Sequence, residues 1–226
     1  MKSAIDKILS IFETGKLPTK EAYSTCTILK DGAGISYGMH QATDKSGSLD
    51  KILSEYIKNG GVYADKLKEF QVKLSNNETT LSGSLQQLWV LDLIKTLKLA
   101  GADPIMQSAQ DKIFNDLYWE PAVERANACK LNMPISFLTL YDTSIHSGPA
   151  GIEKIRSMFP QVPPSKGGDE KEWVLAYINA RKNYLLSSSN QLVRNSSYRI
   201  DEIKNLYDSK NFELKLPITI RGVKIT

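Results

Sequence analysis

Residues 2–15, KSAIDKILSIFETG, and residues 24–42, STCTILKDGAGISYGMHQA, decide how the rest of the chain is read. In the first, Ile5, Ile8, Leu9 and Phe12 recur at helical spacing and Gly15 supplies a stop. Glu13 extends the ridge through Ile5 and Leu9 in steps of four, where periodicity calls for an apolar side chain. A carboxyl at the margin of a core is partly desolvated and favours its neutral form, as a general acid near neutral pH must. In the second, STCTIL and ISYGMHQA have the β-branched and aromatic content of strands, and KDGAG between them reads as a hairpin loop carrying Asp31. A carboxylate at a loop tip stays hydrated and ionised, as suits a base that activates water. Either residue alone reads as structural, because turns favour Asp for local hydrogen bonding and helix ends carry Glu freely. The combination makes them a candidate acid and base delivered by different elements across a cleft.

The remaining chain organises around this opening. Its 226 residues suffice for one large domain, and nothing in it reads as a linker: PQVPPSKGG (residues 160–168) fits a long surface loop between two helices. Ser48 is expected to cap a helix with the stripe Leu49, Ile52, Leu53 and Tyr56, and a second helix follows with Tyr63, Leu67, Phe70 and Leu74. Residues 84–100 are apolar on most faces and are expected to pack all round at the hub of the main lobe. Asp103-Pro104 reads as cap and first residue of a long helix, which Pro121 kinks or restarts. Further helices are expected at 134–146, 151–158, 169–187 and 201–207, and the tail LPITIRGVKIT alternates like a strand. The fold class is mostly α (α+β), with a small antiparallel β element near the N-terminus.

Two charged residues occupy helical positions reserved for a core. Asp142 lies four beyond Leu138, and Arg181 lies four beyond Tyr177 on the stripe of Val174, Ile178 and Leu185. Each is costly if buried alone, so the economical reading is that they pair within a larger network; the competing reading is that they reach solvent.

Other chemistries find little support. His40 and His146 are the only histidines and no HExxH or CxxC pattern occurs, so no metal is expected. GAGISYG misses the dinucleotide fingerprint, because Tyr37 stands at the third glycine and a strand follows, so no cofactor is expected. A serine or cysteine nucleophile lacks a convincing His and acid partner. The net charge of +4 comes from scattered Lys and Arg rather than a run, which argues against a nucleic-acid partner. Cys26 and Cys129 lack metal spacing and are expected to be free, buried thiols. MKSAIDKILS reads as neither signal peptide nor membrane anchor, and no stretch is apolar enough to span a bilayer. Tyr23, Tyr37 and Trp119 lie near the motifs, but such aromatics serve cores more often than sugar stacking.

With these residues in place, the chain resembles the glycoside hydrolase family 46 chitosanases from about residue 5 to about residue 200. The resemblance rests on IFETG with Glu13, DGAGISYG with Asp31, DPIMQSAQDKIFNDLYWEPA (103–122), LYDTSIHSGP (140–149) and GGDEKEWVLAYINARK (167–182), in that order. It implies a lysozyme-like two-lobed fold with a substrate cleft between the lobes, the whole of residues 1–226 forming one catalytic domain. It implies an endo-acting, inverting hydrolase of β-1,4 linkages in an amino-sugar polymer, chitosan first. Glu13 becomes the general acid and Asp31 the base, with Ser36 where the family has a threonine that helps hold the attacking water. The family's arginine on the acid is matched to Arg194, with Arg199 as second choice, and Asp142 and Arg181 match its buried ionic network. Ala33 and Ser48 depart from the basic and acidic residues of many relatives. A peptidoglycan-cleaving, lysozyme-like cleft would tolerate both changes, and the expected absence of a leader would suit a phage or injected lytic enzyme; a catalytically silent carbohydrate-binding or virion protein is a further alternative. The expected partner is a polysaccharide, not a membrane or nucleic acid, met by a monomer outside the cell or at a cell wall, phage-encoded or with a leader removed.

Overall fold

A computed structural model of the chain describes residues 1–28, 34–75 and 88–226, the side chains of 73–75 excepted. These residues fall into two compact units, Met1–Leu17 with Asp116–Thr226, and Pro18–Asn115. The architecture is helical with a small three-stranded antiparallel sheet near the N-terminus, the fold class expected from the sequence. None of the described helices is long and apolar enough to cross a membrane.

In the first unit, α1 (Lys2–Thr14) buries Ile5, Ile8, Leu9, Ile11 and Phe12, and ends at Gly15, whose left-handed φ of 73° a residue with a Cβ would adopt only with strain. A π-helical turn (Asn115–Trp119) runs without a break in helical conformation into α6 (Glu120–Ala128), where Pro121 stands in the first turn, so Pro121 does not start a separate helix. Then come α7 (Pro134–Ser147), α8 (Pro149–Arg156), α9 (Glu170–Leu186), α10 (Gln191–Asn195) and α11 (Tyr198–Asp208). The tail closes as an antiparallel hairpin of Ile218–Ile220 and Val223–Ile225.

The element packed all round is α7. Every residue from Pro134 to Ser144 is buried, and α7 packs against α1, α6, α8, α9 and α11. Hydropathy conceals this, because the helix contains Ser136, Thr139, Asp142, Thr143 and Ser144. Their burial is tolerated where the polar group is satisfied: Thr139 Oγ1 donates to the Ile135 carbonyl at 2.7 Å and Thr143 Oγ1 to the Thr139 carbonyl at 2.8 Å. Ser136 Oγ donates at 2.7 Å to Glu170 Oε1, which also accepts the Met133 N–H at 2.8 Å and so covers the open donors at the start of α7.

In the second unit, β1 (Cys26–Ile28), β2 (Ile35–Tyr37) and β3 (Ala42–Thr43) form the sheet in that order, with Cys26 opposite Tyr37 and Tyr37 opposite Ala42. The expected single strand over 35–42 is therefore two strands. Gly38 (φ 77°) and Gln41 (φ 52°) turn the chain between them, and a Cβ on Gly38 would meet Gln110 Oε1 at 2.0 Å. The helices are α2 (Ser48–Lys58), α3 (Ala64–Ser75), α4 (Leu88–Ala100) and α5 (Pro104–Phe114). Asp103 caps α5, accepting the Ile105 N–H at 2.9 Å, whereas Ser48 does not cap α2: its Oγ accepts the Thr43 N–H at 3.0 Å instead. The hub expected at 84–100 is corrected. Residues 84–87 lie outside the described residues, and α4 buries only the face of Val90, Leu93, Thr96, Leu97 and Ala100 while Leu88 is 84% exposed.

If α7 is the centre of its unit, Leu138→Ala lowers stability by about 2–5 kcal/mol. Leu88→Ala stays within about 0.5 kcal/mol of the parent. Urea unfolding followed by circular dichroism measures both.

Candidate active site

The candidate site is built around an ion cluster inside the first unit. Helical periodicity on α7 delivers Asp142 into the core at 0% exposure, and α9 delivers Arg181, also at 0%. Arg181 Nη1 pairs with Asp142 Oδ2. From α11, Arg199 brings its guanidinium edge to the other oxygen: Nε and Nη2 donate to Asp142 Oδ1 at 2.9 and 2.6 Å. Its remaining nitrogen, Nη1, donates to Glu13 Oε1 at 2.5 Å. A planar guanidinium can serve two carboxylates at once in this way, and an ammonium cannot do so with the same geometry.

The electrostatics follow from burial and pairing. Burial pushes the Asp142 carboxyl up, but the charges of Arg181 and Arg199 and their hydrogen bonds outweigh it, holding the pKa below the ordinary 3.8. Burial pulls Arg199 down while the Asp142 and Glu13 carboxylates push it up, with a net rise. His146, one turn beyond Asp142 on α7, is held below the ordinary histidine value by burial and then by Arg181 and Arg199. The formal charges of Glu13, Asp142, Arg181 and Arg199 cancel.

The sequence-derived candidates fare unequally. Glu13 stands at the end of α1 with its side chain 43% exposed, so what distinguishes it is the guanidinium it holds rather than desolvation by a core. Asp142 and Arg181 meet as the stripe reading anticipated. Arg194 does not reach the acid: its guanidinium donates to the Ser188 and Ser189 carbonyls at 2.5 and 2.9 Å and also bonds Gln191 Oε1. Arg199 takes the place expected of Arg194. Its signal was present, since Arg199, Ile203 and Leu206 share the buried face of α11, but a helix expected to start at 201 leaves residue 199 outside the stripe.

In the second unit, Ser36 lies on the central strand β2 at 6% exposure, opposite Thr27 and Thr43. Asp31 and Ala33 lie outside the described residues. The chain leaves the sheet at Ile28 and returns through Gly34 to Ile35, whose N–H donates to Asp44 Oδ1 at 2.9 Å. Tyr37 and Trp119 are core residues, Tyr37 donating to the Leu97 carbonyl at 2.8 Å. Tyr23 donates to Asp111 at 2.8 Å. Cys26 and Cys129 are free and buried, and burial pushes the Cys26 thiol up to about 12.

Comparison with known proteins places this geometry. The model of Glycosyl hydrolase family 46 matches residues 7–218. A chitosanase of Bacillus subtilis (strain 168) is 26% identical over 232 residues, covering 98% of this chain and 82% of the relative. The crystal structure of a native chitosanase from Bacillus subtilis MY002 superposes with a TM-score of 0.81 at 25% identity, covering 100% of this chain and 98% of that one. A Gynuella sunshinyii chitosanase of the same family, solved with chitotetraose, superposes with a TM-score of 0.78 at 24% identity, covering 99% and 96%.

Asp142→Ala leaves two guanidiniums facing each other in the core and is expected to cost about 3–5 kcal/mol. Arg194→Ala removes hydrogen bonds from a half-exposed group and costs less than about 1.5 kcal/mol. Because the folded pKa of Asp142 is depressed, its stabilisation is present above the ordinary carboxylate value and is lost as pH falls through the lower folded value. Urea midpoints measured from pH 7 downward should show this contribution intact until below about pH 4, where it decays.

Proposed function

The chain belongs to glycosyl hydrolase family 46, and we propose that it is an endo-acting, inverting hydrolase of β-1,4 linkages in chitosan, with Glu13 as general acid and Asp31 as general base. The observation that carries the reading is the Arg199–Glu13 bond in a chain of this family whose similar proteins include chitosanases.

In an inverting mechanism one carboxyl protonates the leaving glycosidic oxygen while the other, ionised, takes a proton from a water attacking the anomeric carbon from the opposite face. Glu13 gives up its proton in that step, and its carboxylate then has a preorganised donor in Arg199 Nη1. Asp142 holds that guanidinium with two hydrogen bonds, so the donor is in place before the reaction begins. Ser36, held centrally in the sheet, contributes a hydroxyl to positioning the water that Asp31 activates. No cofactor is needed for proton transfer of this kind.

Residues 1–226 act as one catalytic domain and as a monomer. Its substrate is a polymer too large to cross a membrane, which places its action outside the cell or at a cell wall.

Cleavage of a fully deacetylated glucosamine hexamer, followed by proton NMR, should release products whose new reducing ends first appear as the α-anomer; first appearance as the β-anomer would reject inversion. Glu13→Gln and Asp31→Asn should each lower turnover by about 10²–10⁴-fold while the circular dichroism spectrum is retained. Release of reducing ends from peptidoglycan but not from the hexamer would overturn the substrate assignment.

A further inference from the structure

Two adjacent residues of α11 grip two adjacent residues of α1. Arg199 holds the Glu13 side chain, and Tyr198 holds the backbone one residue earlier, its hydroxyl donating to the Phe12 carbonyl at 2.5 Å. The last carbonyls of a helix have no partner within it. In α1, the Ile11 carbonyl takes the Gly15 N–H at 2.9 Å, and the Phe12 carbonyl is the one that Tyr198 serves.

Otherwise this end of α1 is held by bonds local to its own turn: Ser10 Oγ donates to the Lys16 carbonyl at 3.0 Å, Thr14 Oγ1 to the Ser10 carbonyl at 2.8 Å, and the Lys16 N–H to Thr14 Oγ1 at 3.2 Å. Phe12 is the last buried residue before an exposed run from Glu13 to Lys20. Helix ends fray when unsupported, and fraying at Phe12 would carry Glu13 away from Arg199. The Tyr198 ring is itself fixed. It meets the Phe12 ring edge-on at 6.4 Å and 77°, and the Arg221 guanidinium lies 4.2 Å from its centroid. Arg221 sits in the turn of the C-terminal hairpin, with φ 49° ahead of Gly222 at 80°. Its N–H donates to Glu202 Oε1 on α11 at 3.0 Å, so hairpin and helix are locked together. The chain's last carbonyl, of Thr226, accepts from Lys7 Nζ of α1 at 3.2 Å.

We propose that Tyr198, its ring held by Arg221, is a positioning residue that keeps the last turn of α1 wound so that the Glu13 carboxyl stays on Arg199. The C-terminal hairpin thereby serves the reaction although no residue of it touches substrate. The proposal rests on Glu13 being the general acid. A displacement of about 1 Å in a reacting group can cost about a hundredfold in rate, and loss of one tether to a still-paired side chain should cost less.

Tyr198→Phe keeps the ring and deletes only the donor. On a defined glucosamine oligomer its kcat should fall about tenfold with KM within about twofold of the parent, and the protein should remain folded at the assay temperature. Arg221→Ala should lower kcat in the same direction, and Arg221→Lys, which restores a cation over the ring, should recover most of it. Parental kcat in Tyr198→Phe overturns the proposal, as does a loss accounted for by the unfolded fraction. Should Tyr198→Phe fail to fold, Arg221→Ala decides, and parental kcat there overturns it. Glu13→Gln in the same assay separates the two ideas: full turnover would remove the acid assignment alone. The Glu13 carboxyl carbon resonance, assigned by its disappearance in Glu13→Gln, should shift in Tyr198→Phe, and an unmoved resonance overturns the positioning role without reference to activity.

Discussion

The first unit depends on a single buried carboxylate. Asp142 has no access to water, and burial of an isolated charge is too costly to tolerate. Arg181 from α9 and Arg199 from α11 must both reach it, so the register of three helices is set by one ion cluster. Sliding either helix by a residue would turn its guanidinium away and leave like charges or unpaired ones in the core. An apolar core permits compensating shifts that such a cluster does not, because hydrogen-bond geometry falls off steeply with distance and angle.

The same constraint fixes the group that meets Glu13. Arg199 spends two of its nitrogens on Asp142 and the third on Glu13, so the group that meets the acid is the group that holds the helices. Glu13 itself is partly exposed. Precision at an exposed position comes from buried neighbours, and the four formal charges sum to zero only when Glu13 is ionised.

Periodicity exposed part of this directly. Asp142 and Arg181 occupy stripe positions where an apolar residue belongs, and that misfit marks them; the same spacing marks Glu13, whose side chain is nonetheless exposed. Arg199 obeys the same rule but escapes notice, because a helix expected to start at 201 leaves residue 199 outside the stripe. Arg194 was preferred to it on resemblance alone, and the carbonyls of residues 188 and 189 had already claimed its guanidinium. The exchange of α4 for α7 as the central helix has a related cause. Hydropathy counts hydroxyls as polar, yet Thr139 and Thr143 return their protons to carbonyls one turn back and become compatible with full burial. Likewise Gly38 looked like part of a strand, since nothing local reveals that Gln110 presses against it.

Amino-acid order alone determined the helical class, the small sheet and the residues whose charge contradicts their position, because these are written in spacings of two to four residues that local geometry enforces, while the family is carried by the order of motifs along the chain. Tertiary structure alone decided which arginine meets Glu13, which helix the first unit is built around, and that the Tyr198 hydroxyl reaches the Phe12 carbonyl of α1. Those outcomes depend on which side chains separated by up to about two hundred positions arrive at the same point, and the partner of a charge is chosen by the packing of whole helices rather than by anything encoded near it.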